Sequence, residues 1–189
     1  MRRGRAPAPR AVGAFVLTAA VRRAGDLSRD ARAGHRRYNI RLREENRMAA
    51  SRDVAQARAL AERLHAGQTD KAGAPYIGHP ERVAARLAAP EEQVVAWLHD
   101  TVEDTGLSLG EIEDRFGPET AMAVDAVTRR PGEAWEDYIS RVRSDPLARR
   151  VKISDLIDNS NLTRLRVVTL ADVERQKKYN RALARLMED

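Results

Sequence analysis

From Met48 to the end of the chain, apolar residues recur at the 3.6-residue period of an α-helix, and the two-residue alternation of a half-buried strand is almost absent. Ser51 stands where it can N-cap a helix whose apolar stripe is Val54, Ala57, Leu60, Ala61 and Leu64, ending near Gly67. Residues 68–78 are polar and carry Gly73, Pro75 and Gly78, so they read as a loop. His79-Pro80 opens the next helix, because proline is at home in the first turn, and Val83, Ala84 and Leu87 face inward. Pro90 starts a third, with Val94, Val95, Trp97 and Leu98 on its buried side. Ser108-x-x-Glu111 is a capping box before Ile112 and Phe116, and Pro118 starts a helix through Val124 and Val127. Further helical stripes are Trp135–Val142, Leu147–Ile157 and Leu170–Met187, the last lined by Val173, Gln176, Tyr179 and Leu183. The pattern predicts an all-α bundle of about seven helices.

Composition narrows what such a bundle can do. With 189 residues, 42% hydrophobic and 33% charged, the chain suits one globular domain with a sizeable core. It has no cysteine, which removes disulfides, thiolate metal sites and cysteine nucleophiles together. Any metal must be held by histidine, carboxylate and water. Aromatics are only 4%, too few for a base-stacking platform that tracks single-stranded nucleic acid.

The net charge of +6 changes meaning once it is located. Residues 1–47 hold thirteen arginines and no lysine against Asp26, Asp30, Glu44 and Glu45, a net +9; the remaining 142 residues carry −3. The basic balance belongs to an N-terminal extension, so residues 48–189 offer no phosphate-tracking surface by charge, and nucleic acid is expected only through that arm. The extension has three readings. Met1–Arg10 followed by the apolar run Ala11–Val21 has the shape of an export signal, although Arg22-Arg23 sits where cleavage would fall. It also fits a flexible basic arm for nucleic acid or acidic lipid. Thirdly, 30 arginines against 4 lysines suit a GC-rich genome, so residues 1–47 read as disordered, or as upstream DNA in frame with Met48 the true start. The run is too short for a membrane span, which needs about 20 residues.

No nucleophile elbow, phosphate-binding P-loop, dinucleotide fingerprint or H-E-x-x-H is present. The concentrated chemistry is His99-Asp100-Thr101-Val102-Glu103-Asp104. On a continuous helix Glu103 lies one turn from His99 and Asp100, and Asp104 one turn from Asp100, so all four share a broad face. Four titratable groups beside Trp97-Leu98 are costly to bury unpaired, and a divalent cation relieves that cost. His79 and Asp155 are the companions that extend this cluster to two histidines and two aspartates. That donor set suits a partly hydrated Mn²⁺, Fe²⁺ or Mg²⁺ better than a closed structural zinc. His65 reads as a packed or capping histidine, Trp97, Trp135 and Tyr179 as core, and Arg129-Arg130 as a solvated helix end.

These residues carry a resemblance. Lys71-Ala72-Gly73-Ala74-Pro75-Tyr76-Ile77-Gly78-His79-Pro80, Trp97-Leu98-His99-Asp100-Thr101-Val102-Glu103-Asp104-Thr105, Phe116-Gly117, Val127-Thr128-Arg129 and Val151-Lys152-Ile153-Ser154-Asp155 with Asn159 are similar to the HD hydrolase domain. Over roughly residues 50–185 the nearest resemblance is to the Rel/SpoT alarmone hydrolases and their small single-domain relatives. The resemblance implies an HD-type helical bundle and a metal, usually Mn²⁺, held by His79, His99, Asp100 and Asp155. It implies that Glu103 and Asp104 orient or deprotonate the attacking water and handle the leaving-group proton. It implies that Asn159 contacts the ribose–phosphate region of the nucleotide; Lys71 reads as a phosphate contact from its place in the motif or as a solvated loop charge, and Tyr76 as a wall of the nucleotide site or as loop packing. The implied reaction removes the 3′-pyrophosphate of ppGpp or pppGpp, in the cytoplasm. Alternatives are another nucleotide or phosphoester as substrate, or a catalytically silent nucleotide-binding module. Two positions depart from the family. Asp70 stands where an arginine usually precedes the lysine and stacks on guanine, exchanging a planar cation for a carboxylate that repels phosphate. Asp158 stands where the long enzymes tend to carry histidine. The chain is expected to degrade an alarmone without making one, since no room remains for a synthetase domain.

Overall fold

The computed structural model describes residues 29–188; the predicted apolar run Ala11–Val21 lies outside them. Among the described residues there are nine α-helices and one 3₁₀ turn and no strand, only an isolated bridge between Thr69 and Pro75. The architecture is the all-α bundle that the hydrophobic period requires. The chain divides into two compact units between Asn46 and Arg47.

Helix α1 (Arg29–Leu64) corrects one expectation. Ser51 does not cap its start but lies inside a helix that begins 22 residues earlier. Between Arg29 and Ser51 there is no proline and only Gly34 among strong breakers, while Arg, Ala, Glu and Leu favour the helix. The Arg41–Glu45 pair, 2.8 Å apart at i,i+4, adds local support. Residues 29–47, the described part of the N-terminal extension, are helical.

Within residues 47–188 the helices start where the sequence places their caps. α2 (Gly78–Ala85) follows the 68–77 loop, and α3 (Pro90–Leu98) has proline in its first turn. α4 (Thr101–Thr105) is a short helix of its own, closed by Gly106 in the left-handed region. α5 (Leu109–Phe116) carries the expected capping box, with Glu111 N–H donating to Ser108 Oγ at 3.2 Å and Ser108 N–H to Glu111 Oε2 at 3.1 Å. Gly117, at φ +85°, lets α6 (Pro118–Val127) start at once. α7 (Trp135–Ser144) leads into α8 (Pro146–Asn159), whose first turn is capped by Asp145 Oδ1 at 2.9 and 2.8 Å from two backbone amides. After the 3₁₀ turn Leu162–Arg164, α9 (Leu170–Met187) closes the domain.

Helix α8 is the central element, packed against α2, α3, α6, α7 and α9. Val151 and Leu156 on α8 are buried with Val83 on α2, Val95 and Leu98 on α3, Val124 on α6, and Ile139 and Val142 on α7. Each such side chain contributes about 1.5–3 kcal/mol when fully buried. One consequence matters for chemistry. Polar residues on α8 that face its neighbours are held in a rigid, poorly hydrated setting, and Ser154, Asp155 and Asp158 are of this kind.

Candidate active site and metal centre

The motif His99–Asp104 does not form the single helical face that its spacing suggested. Helix α3 ends at Leu98, His99 and Asp100 form a turn, and α4 begins at Thr101. Side-chain bonds to the backbone stabilise the break: His99 Nδ1 lies 2.7 Å from the Ala96 carbonyl, and Thr101 Oγ1 donates to the Leu98 carbonyl at 2.7 Å. Asp100 is thereby turned toward His99 rather than along the helix.

The two imidazoles are oriented alike. His99 gives Nδ1–H to Ala96, and His79 on α2 gives Nδ1–H to Asp158 Oδ2 at 2.9 Å. Both therefore present Nε2 to the same point, with Asp155 Oδ1 3.1 Å from His79 Nε2 and 3.8 Å from His99 Nε2. One donor atom each from His79, His99 and Asp155 lies within 4.8 Å of the others, and all three residues are buried. Asp100 Oδ2 borders the group, 3.0 Å from His99 Nε2 and 3.7 Å from His79 Nε2. His99 Nε2 is out of solvent and makes no aligned hydrogen bond even to that oxygen. A lone pair facing carboxylate oxygens without a proton between them is a poor arrangement by itself. A divalent cation fits the two imidazoles and two carboxylates, and each imidazole has the outer acceptor on Nδ1 that metal-binding histidines use.

The electrostatics match this geometry. Burial disfavours a charge on His79, yet its bonds to Asp155 and Asp158 prevail and raise its pKa to about 9. Burial likewise opposes ionisation of Asp155, but Lys152, whose Nζ is 2.7 Å away, and the imidazoles hold it well below the usual carboxylate range. Asp100 is held down chiefly by His99, and Asp158 by His79 and Arg82, each against its own desolvation. The carboxylates therefore stay charged, and the cation is the agent that would release the proton from His79.

Around this centre is a cavity of about 610 Å³. The candidate residues Lys71, Tyr76, His79, Asp100, Glu103, Asp104, Asp155 and Asn159 all line it. Glu103 Oε2 accepts from the Arg129 backbone N–H at 3.3 Å, which fixes its carboxylate. Asp104 has its pKa raised by partial burial and by the neighbouring charge of Asp100. Tyr76, read as a substrate contact, spends its hydroxyl on Asp100 Oδ2 while its ring lies 4.9 Å from that of His65. Asn159 donates to Asp155 Oδ1 at 2.5 Å. Both thus bond to the candidate ligand carboxylates as well as forming the cavity wall.

Sequence reasoning missed other residues of this wall. Asp158 is fully buried and also accepts from Arg82, Arg86 and Arg164. Trp135 and Tyr179, read as core, are only half-buried and line the cavity with Tyr138 and Lys178. Lys178 Nζ is 3.8 Å from the centre of the Trp135 ring, and Arg129 lies over the same ring. A cation four residues after another polar helix position is no signal by itself; its meaning comes from the partner helix. His65 is, as expected, a packed histidine, its Nδ1 2.7 Å from Gln68 Oε1.

Comparison with known proteins places this geometry. Residues 57–137 match the family model of the HD domain, so the resemblance read from the motifs is borne out over that stretch. Among curated proteins, the chain is 35% identical over 119 residues to the guanosine-3′,5′-bis(diphosphate) 3′-pyrophosphohydrolase of Aquifex aeolicus (strain VF5), covering 57% of this chain and 17% of that one. It is 36% identical over 124 residues to a probable GTP pyrophosphokinase of Mycobacterium leprae (strain TN), covering 59% and 16%. It is 40% identical over 80 residues to the bifunctional (p)ppGpp synthase/hydrolase SpoT of Escherichia coli (strain K12), covering 40% and 11%. The chain thus spans about a sixth of the length of the first two relatives. A solved structure of a metazoan SpoT ortholog, described as hydrolysing ppGpp, superposes with a TM-score of 0.60 at 22% identity, over 71% of this chain and 84% of that one. That likeness establishes a shared fold. Among the described residues no helix is long and apolar enough to cross a membrane.

Proposed function

We propose that the chain is a metal-dependent phosphohydrolase that removes the 3′-pyrophosphate from ppGpp or pppGpp, leaving GDP or GTP, in the cytoplasm where such nucleotides are found. The observation that carries the reading is the pair of imidazoles, each bonded outward through Nδ1 so that both Nε2 atoms converge with Asp155 beside Glu103 and Asp104. The similarity to 3′-pyrophosphohydrolases supports the substrate class.

In this reading His79, His99, Asp100 and Asp155 hold a divalent cation, Mn²⁺ by preference. When bound it supplies Lewis-acid polarisation of a phosphate oxygen and makes water more acidic. Glu103 and Asp104 hold the attacking water and take its proton as the oxygen meets the phosphorus on O3′; the P–O3′ bond breaks and the nucleoside oxygen takes a proton in return. Lys71, Lys152, Arg129 and Lys178, all lining the cavity, offset the charge of the departing pyrophosphate. Tyr76 and Asn159 keep Asp100 and Asp155 aimed through their hydrogen bonds.

The test is turnover by full-length protein, stripped and reloaded with Mn²⁺, on ppGpp beside other nucleotides and sugar phosphates, with products separated by chromatography. Equimolar GDP and pyrophosphate from ppGpp is the expected result. Turnover of a different phosphoester with ppGpp untouched would move the substrate, and no turnover with metal bound would leave a nucleotide-binding module.

A further inference from the structure

Directly after α1, His65 begins a join to the reacting site that runs behind the cavity wall. The residue is only 2% exposed. Its Nδ1 lies 2.7 Å from Gln68 Oε1, and Gln68 Nε2 donates to the Asp104 carbonyl at 3.4 Å, 36 positions along the chain. Because the amide nitrogen of Gln68 is spent on Asp104, its oxygen faces the imidazole, and Nδ1 of His65 carries the proton. The same glutamine takes the Tyr76 N–H on its own carbonyl at 3.0 Å, while the His65 ring lies against the Tyr76 ring. The end of α1, the 68–77 loop and α4 thus meet at one pair of side chains.

His65 Nε2, in contrast, is buried and has no hydrogen-bond partner. A buried polar atom left unpaired costs about 1–3 kcal/mol. A phenylalanine would fill the same space without that cost, so packing alone does not account for a histidine here. What the imidazole adds is the Nδ1–H that fixes Gln68. The far end of the link shows what is held. Helix α4 has only five residues, too few to be stable by itself, and Asp104 stands in its last turn, where backbone carbonyls lack helical partners. The carbonyl that Gln68 takes is one of these. Burial and Asp100 push the Asp104 pKa up, while His65 and the Tyr76 hydroxyl act against them, so both lie near its carboxylate. We propose that His65 is a positioning residue for Asp104: through Gln68 it ties the end of α4 to α1 and so keeps the Asp104 carboxylate aimed at the attacking water. This rests on the hydrolytic role of Asp104 proposed above and extends the reacting site to a pair behind the wall.

The experiment sets thermal unfolding of the full-length, Mn²⁺-loaded protein beside its steady-state turnover of ppGpp, or of the phosphoester it turns over instead. His65→Phe keeps a buried ring and loses Nδ1–H. Its Tm is expected to match or exceed the wild-type value while kcat falls about 10- to 100-fold, the cost of a misplaced reacting group. KM and bound Mn²⁺ are expected to stay within about twofold, because the loss falls on the transition state. His65→Asn reverses the pattern. Its Nδ2–H stands in for Nδ1–H, so kcat stays within about threefold of wild type, while the space left by the ring lowers Tm. Gln68→Met, at a half-buried position, is expected to slow turnover as His65→Phe does. The double variant is expected to be no slower than either single one, since both cut the same link. Normal kcat in His65→Phe, kcat losses that follow Tm across the variants, or additive losses in the double variant would each overturn the assignment while an active wild type keeps the hydrolase reading. Wild-type protein inert toward every phosphoester would overturn that reading and this assignment with it.

Discussion

At the scale of single residues, the site is built from pairs in which a buried polar atom decides how its neighbour is aimed. Asp158 is the clearest case: it accepts from His79 Nδ1, so the imidazole can only offer Nε2 inward. Asp158→Asn removes the charge that holds this tautomer and is expected to weaken Mn²⁺ binding about 10- to 100-fold, the usual cost of losing an outer partner of a metal histidine. Titration of Mn²⁺ followed by its electron paramagnetic resonance signal measures this, and unchanged affinity would show that His79 is oriented without Asp158. Glu103 has the opposite profile. It sits outside the buried ligand group and is fixed by the Arg129 amide. Glu103→Gln is therefore expected to keep full metal content while kcat falls about 10²- to 10⁴-fold, the range for a lost general base. Normal turnover in that variant would remove Glu103 from the reaction. His79, His99, Asp100 and Asp155 were legible because their types and order form a motif. Asp158 and Arg164 were not, since Arg164 meets Asp70 across 94 positions and no local spacing announces it.

Among the elements, the helix starts were legible and two boundaries were not. Pro90, Pro118 and the Ser108/Glu111 box mark starts through local chemistry, and the structure uses each of them. The start of α1 was misplaced because Ser51, a good cap in isolation, is followed and preceded by equally good helix formers. The break at His99–Asp100 was missed because it comes from side-chain bonds back to Ala96 and Leu98, which compete with the helix without any glycine or proline. The turn between α6 and α7 depends on a device of the same kind. Arg141 donates to the Asp125, Ala126 and Thr128 carbonyls at 2.7–3.0 Å and to both oxygens of Glu133 at 2.9 and 2.7 Å. It thus satisfies the end of α6 and clamps the segment that carries Arg129. Arg141→Met leaves these carbonyls and a largely buried Glu133 without their cation. The expected cost is about 2–4 kcal/mol, between an exposed and a fully buried pair. Because Arg129 N–H holds Glu103, kcat is expected to fall as well. Thermal unfolding and steady-state rates check the two effects, and a stable variant with normal kcat would refute the clamp.

For the whole molecule, central α8 carries a charged cluster into the bundle, and that cluster sets how stability follows pH. Asp100, Asp155 and Asp158 have folded-state pKa values below their ordinary 3.8, so their stabilisation is complete above that value and is lost as pH falls. His79 runs the other way. Its pKa rises from 6.5 to about 9 on folding, so its contribution is complete below pH 6.5 and is lost as pH rises through about 9. The metal-free protein is therefore expected to be most stable between about pH 5 and 6.5, where both contributions are present. A divalent cation reverses the alkaline side, since it binds neutral imidazole and displaces the proton that His79 otherwise keeps. The rise in Tm on adding Mn²⁺ should then be small at pH 5.5 and grow steadily toward pH 8. Thermal unfolding of the full chain with Mn²⁺ and with a chelator, at matched ionic strength across that range, measures it. A rise independent of pH would mean that the cation binds away from His79. The same result would undo the link between the buried helix and the chemistry, because the proton on His79 is what couples them.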